Sequence, residues 1–133
     1  MKNKIEASIY FSTGIQQTGN GPALSGPFRV IPTPFMPTLL SMAITFIITG
    51  LDNKTENTFQ VTLQRKDSKK IVYQSKEEKF QYSNPYNTVV NIVLDNAQFN
   101  QTTGGDYEAV IEIKDNGELI FKDKGMFTII KTK

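Results

Sequence analysis

The sequence predicts an all-β protein: one antiparallel β-sandwich of seven to nine strands over residues 1–133, with immunoglobulin-like or related Greek-key connections. Three observations lead there. Apolar residues recur with period two along most of the chain, and period 3.6 is hard to find. Turn signals interrupt the alternation at short intervals, as sandwiches and barrels require. At 133 residues the chain has the size of one domain with a sizeable core, and without cysteine that core must supply the stability.

The elements follow in order. In KIEASIYFS, Ile5, Ala7, Ile9 and Phe11 alternate with Glu6, Ser8 and Tyr10. Residues 13–27, TGIQQTGNGPALSGP, hold four glycines and two prolines and are expected to form an irregular surface loop, open to proteases near Gln16 to Asn20. IPTPFMP (31–37) has three prolines in seven residues and reads as an extended crossover between sheets. LLSMAITFIIT puts Leu40, Met42, Ile44, Phe46 and Ile48 on one face. NTFQVTLQRK puts Phe59, Val61 and Leu63 inward and Thr58, Gln60, Thr62 and Gln64 outward. RKDSKK then forms a hairpin turn on Asp67 and Ser68.

KIVYQS (70–75), NTVVNIVLD (87–95), DYEAVIEIK (106–114), ELIFKD (118–123) and MFTIIKT (126–132) continue the alternation. Asn116-Gly117 suits a two-residue type I′ turn. DKG (123–125) should break the chain before the last strand, and LDNAQFNQT (94–102) is the one place where a helical turn fits. The expected core is Ile9, Phe11, Phe28, Met42, Ile44, Phe46, Phe59, Val61, Leu63, Val90, Ile92, Leu94, Tyr107, Ile111 and Ile113.

Composition closes several functional doors. Fifteen Lys and Arg against thirteen Asp and Glu leave a net charge of +2, without the concentrated basic excess of nucleic-acid binders. Histidine and cysteine are both absent, which removes ordinary zinc and copper sites and the commonest general base and thiol nucleophile. Catalysis would have to run on carboxylates, lysines, tyrosines or hydroxyls. The most apolar stretch, 35–51, is interrupted by Pro37, Ser41, Thr45 and Thr49 and falls short of a membrane span of ~20 residues. No secretory apolar segment follows the first lysines, so the expected location is cytoplasmic, with no membrane partner. The wealth of Lys, Asn and Ile fits a low-GC bacterium or its phage.

TTGGDY (102–107) is the most site-like motif. Its glycines are adjacent, a strand follows them and no Lys-Ser/Thr is present, so neither phosphate-loop pattern is met. The spacing suits a chain entering a strand at a sandwich edge, with the Tyr107 ring inward and its hydroxyl on nearby backbone. Glu108 and Glu112 lie four residues apart on one strand, roughly 13 Å at standard rise, which is too far for a close catalytic dyad. Asp95, Asn96 and Asp106 could bind calcium if they converged, and the simpler reading is that they are turn residues bonding their own backbone. No catalytic, cofactor-binding or metal-ligating residue is assigned.

The candidate partner-binding residues are Ile15 and Leu24, apolar anchors in 13–27, and Tyr82 and Tyr86, tyrosines beside Pro85 that offer contact area at low entropy cost. From Gly26 onward, SGPFRVIPTPFMP, then a long strand, then NTFQVTLQRKDSKKIVYQS and GGDYEAVIEIKDNGELI, the chain resembles a family of small bacterial and phage domains of unknown function. The resemblance covers about three quarters of the chain on its Gly-x-Phe-x-x-Ile, proline and Gly-x-Tyr segments, although Asp67-Ser68-Lys69 stands where the family usually has a turn glycine. It implies a β-sandwich and brings no catalytic residue. The expectation is a non-catalytic, protein-binding accessory or inhibitor module. The alternatives are a self-associating homodimer using outward residues such as Ile47, Val89 and Val110, and a carboxylate hydrolase or glycan-binding sandwich.

Overall fold

The computed structural model describes residues 4–52, 54–80 and 85–132. Among them run ten strands and no helix: β1 (Glu6–Thr18), β2 (Gly21–Phe28), β3 (Val30–Thr33), β4 (Thr38–Thr49), β5 (Asn57–Arg65), β6 (Ile71–Gln74), β7 (Glu78–Lys79), β8 (Thr88–Phe99), β9 (Gly105–Asp115) and β10 (Glu118–Lys131). They make a β-sandwich. One sheet has the order β2-β1-β4-β8, and the other β3-β10-β9-β5-β6, with β7 also on β5. Every pairing is antiparallel except β3 with β10. No helix among the described residues is long and apolar enough to cross a membrane.

The alternation dictates the core. Inward residues of β4 (Met42, Ile44, Phe46, Ile48) meet those of β5 (Phe59, Val61, Leu63) and β9 (Tyr107, Ala109, Ile111, Ile113), all buried. Burying each such side chain contributes about 1.5–3 kcal/mol relative to exposure, which offsets the entropy of ordering long strands. Aromatic rings fill one end: Phe127 stacks on Tyr107 at 5.6 Å between centroids and contacts Phe11 at 4.9 Å, and Phe99 meets Tyr107 edge-on at 5.0 Å. Phe59 and Phe80, 4.7 Å apart, fill the other. Of the expected core, Ile9, Phe28 and Ile92 are only partly buried, packed against the rest.

The strand count exceeds seven to nine because stretches expected to be irregular also pair. Residues 13–27 are the largest correction. They are the outer half of β1 and all of β2 but Phe28, in register with Gly14 opposite Ser25, Ile15 opposite Leu24 and Thr18 opposite Gly21. Gly21 and Gly26 adopt φ of 105° and 62°, a backbone that glycine alone takes at low cost. The composition that reads as a loop thus builds a turn and a kink within a hairpin. Residues 31–37 do cross between sheets, and on the way Val30–Thr33 add a short parallel edge to β10, where Pro32 is tolerated because one side of an edge strand needs no partner.

Two further expectations fail. No helical turn forms at 94–102: β8 runs through to Phe99, and Asp95 and Asn96 together oppose Ser41 in a β-bulge. Asn96 takes φ 55°, and its backbone N–H donates to Ser41 Oγ at 3.1 Å. Nor does DKG break the chain, because β10 is continuous. Gly125 serves packing between the sheets: a Cβ there would come within 2.9 Å of the Ile9 side chain.

The expected turns do form. Asp67 Oδ1 accepts the Ser68 N–H in the β5–β6 hairpin. Asn116 and Gly117, at φ 50° and 86°, join β9 to β10 as a type I′ turn does.

Candidate functional site

The alternation that sends Phe59, Val61 and Leu63 inward also sends Arg65 inward, at the end of β5. The signal is in the sequence: the same period carried one step past Leu63 reaches Arg65. Arg65 is buried, and its guanidinium gathers the TTGGDY corner. It donates to the Tyr107 hydroxyl at 3.3 Å, to the Gly104 carbonyl at 3.0 Å and to Asp67 Oδ1 at 3.0 Å. Burial works against its charge, but the bonds to Tyr107 and Asp67 outweigh that and raise its pKa further.

The glycines of TTGGDY now have a reason. A Cβ on Gly105 would run into the Arg65 guanidinium, and one on Gly104 into the Ile129 carbonyl oxygen. The bare backbone makes room for protein atoms. The Tyr107 ring points inward as expected, while its hydroxyl meets a guanidinium instead of backbone.

On the outer side of the same sheet Glu108 is buried, although its strand position faces outward. Lys69 Nζ and Gln64 Nε2 donate to its Oε1 at 2.7 and 2.9 Å, and Lys124 Nζ lies 3.6 Å from Oε2. Burial alone would raise its pKa. The bonds from Lys69 and Gln64 and the charges of Lys69 and Lys124 outweigh this, so the carboxyl titrates below the ordinary glutamate range. With both oxygens engaged by cations, Glu108 is poorly placed as a general base. Asp106 accepts from the Thr128 hydroxyl, and Asp95 stands in the other sheet. No group of three or more His, Cys, Asp or Glu among the described residues is placed to hold a metal ion.

The candidate partner-binding residues divide. Ile15 and Leu24 form a half-buried cross-strand pair on the β1–β2 hairpin. Tyr86 is 83% exposed. Tyr82 lies outside the described residues. Pro22 of the hairpin and Asn87, the residue after Tyr86, line one cleft of about 670 Å³, together with Glu78, Lys79, Phe80, Val89 and Asn91. Since β2 and β8 are opposite edges of their sheet, Pro22 reaches Val89 and Asn91 only if the hairpin bends across the outer face. Two facts agree with this. Pairing of β1 with β4 ends at Ser12–Ala43 while both strands continue, and the outward residues Ser12, Ala43 and Thr45 are buried. Of the outward apolar residues, Val89 is exposed, Ile47 half-buried and Val110 buried.

No family model matches the chain, and no curated protein matches it. Several solved structures are distantly similar. A β-glucosidase from Listeria innocua in complex with glucose aligns over 96% of this chain at 10% identity and a TM-score of 0.49, and the chain spans only 16% of that enzyme. The soluble domain of PmoD from Methylocystis aligns over 92% of this chain and 90% of its own at 8% identity, again with a TM-score of 0.49. The alkylpurine DNA glycosylase AlkC of Pseudomonas fluorescens, bound to DNA containing an abasic-site analogue, aligns over 92% of this chain and 30% of its own at 10% identity and a TM-score of 0.42. At these identities and scores the likenesses carry no functional argument.

Proposed function

We propose that the chain is a non-catalytic module that works by protein contact, built on an immunoglobulin-like sandwich and acting in the cytoplasm as a bacterial or phage accessory protein. One observation carries the reading: the two outer faces differ in kind. The outer face of the six-stranded sheet bears Glu108, Glu112, Lys114, Lys122 and Lys124. Across the four-stranded sheet, inside Glu6 at its border, the accessible outward residues Ser8, Tyr10, Ile47, Val89, Asn91 and Val93 form an uncharged field around the buried Ser12, Ala43 and Thr45, and in it Tyr10 is 44% and Val93 60% exposed. An uncharged patch with an exposed aromatic, set against an otherwise charged surface, has the character of a contact region.

The test is capture from a low-GC bacterial host with tagged protein, followed by identification of what is bound. A stoichiometric partner of different sequence, lost with Tyr10→Lys and kept with Glu112→Lys, supports the reading. Absence of any such partner, or equal loss with both substitutions, overturns it.

A further inference from the structure

We propose that a second copy of this chain adds to β8 along Val89–Leu94, on the side that no described strand pairs, antiparallel about a two-fold axis at Asn91, joining the two four-stranded sheets into one. This is independent of the proposed hetero-partner. An unpaired edge is a template for strand addition, and proteins blunt it with proline, charge, bulges or shortness. β2 carries Pro22, Pro27 and the left-handed Gly26. β3 is four residues long and contains Pro32. β6 is four residues long, and β7 is only the charged pair Glu78-Lys79.

β8 is built differently. Among the described residues no strand pairs its outer side. From Val89 to Leu94, about 17 Å at standard rise, it has no charge, proline, glycine or bulge. The first interruption is the bulge at Asp95 and Asn96. The cleft described above lies along this segment, lined by Val89, Val90, Asn91 and Ile92 together with Pro22, Glu78, Lys79 and Phe80, and leaves room beside the edge.

The occupant follows from the pattern. A two-fold interface must be self-complementary, each residue meeting its counterpart in reverse order. Val89-Val90-Asn91-Ile92-Val93 has the same character in both directions. With Asn91 on the axis, exposed Val89 faces exposed Val93 of the second copy, and inward Val90 faces inward Ile92. Asp95 falls opposite Asn87, so no like charges meet. Cross-strand β-branched pairs of this kind stabilise a ladder. A partner strand of unrelated sequence would have no reason to match this symmetry.

The register gives the experiment. Val89→Lys with Val93→Lys places lysine opposite lysine twice across the axis. Val89→Lys with Val93→Glu places lysine opposite glutamate twice, at the same cost in apolar surface. Light scattering and sedimentation should find a wild-type dimer, a dissociation constant raised at least about tenfold in the double-lysine variant, and a salt-sensitive recovery in the lysine-glutamate variant. Amide hydrogen exchange on the wild type, compared between dilute and concentrated solution, gives a reading that needs no variant: protection of residues 89–94 should rise with concentration. A strict monomer at high concentration overturns the proposal. So does a dimer that tolerates the double lysine, or one whose protection rises elsewhere.

Discussion

The Arg65 guanidinium donates to the Tyr107 hydroxyl at 3.3 Å while its carbon lies 5.7 Å from the centroid of the same ring. One cation therefore binds the tyrosine by its oxygen and by its π face, at the point where β5, β9 and the TTGGDY corner meet. Arg65→Lys keeps the charge but cannot hold Tyr107, Gly104 and Asp67 together, since an ammonium lacks the planar fork. It should lower unfolding free energy in urea by about 1–3 kcal/mol, and Tyr107→Phe by about 0.5–1.5 kcal/mol. An unchanged urea midpoint for Arg65→Lys would remove the guanidinium from this role.

Alanine at three glycines separates close packing from open space. Gly105→Ala forces a methyl against the guanidinium, and Gly104→Ala forces one against the Ile129 carbonyl, which belongs to backbone and yields less. Each should destabilise by about 1–3 kcal/mol, with Gly104→Ala the worse. At Gly14 nothing lies within 4 Å of a Cβ and φ is not positive, so Gly14→Ala should be neutral or gain about 0.4–1 kcal/mol through the unfolded state. Thermal melting of the three variants checks the order.

Much of the fold was legible because period two survives wherever one face is buried: β4, β5, β8 and β9 fall where the alternation puts them. Failures came where a residue's meaning depends on a distant partner. Gly125 looks like a chain break until Ile9 is seen against it, and Asp95-Asn96 looks like a helical turn until Ser41 opposes it. In the hairpin, the cross-strand neighbour of each glycine or proline decides whether it breaks or bends the chain. The burial of Arg65 was legible by continuing one strand's alternation; its hold on Gly104 was not, because that bond joins residues far apart in sequence.

The hairpin reading of 13–27 makes a coupling prediction. Ile15 and Leu24 are register partners, so Ile15→Ala and Leu24→Ala should not be additive. A double-mutant cycle should return a coupling of about 0.5–1 kcal/mol, as cross-strand apolar pairs do. A disordered loop gives none. The same geometry narrows proteolysis: cleavage should concentrate at the turn around Gly19-Asn20, sparing the paired Gln16 and Gln17 on native protein, and mass spectrometry of early fragments reads this directly.

Acid sensitivity should trace to Glu108. Its carboxylate is held by Lys69, Gln64 and Lys124, and its folded pKa lies below the unfolded one. Above the unfolded value both states are ionised there and the whole contribution to stability is present. As pH falls toward the folded value the unfolded state takes up its proton first, and stability drops until the native carboxyl also protonates. Asp67, depressed by the Ser68 N–H and Arg65 against the opposing effect of desolvation, acts in the same direction. Glu108→Gln keeps the shape and leaves two lysines beside a neutral amide. At neutral pH it should be less stable than wild type, and the gap should close as pH falls below the ordinary carboxylate range. Urea midpoints measured from neutral to strongly acid pH would show two converging curves. Parallel curves would mean that the lysines, though close, are not what keeps Glu108 ionised.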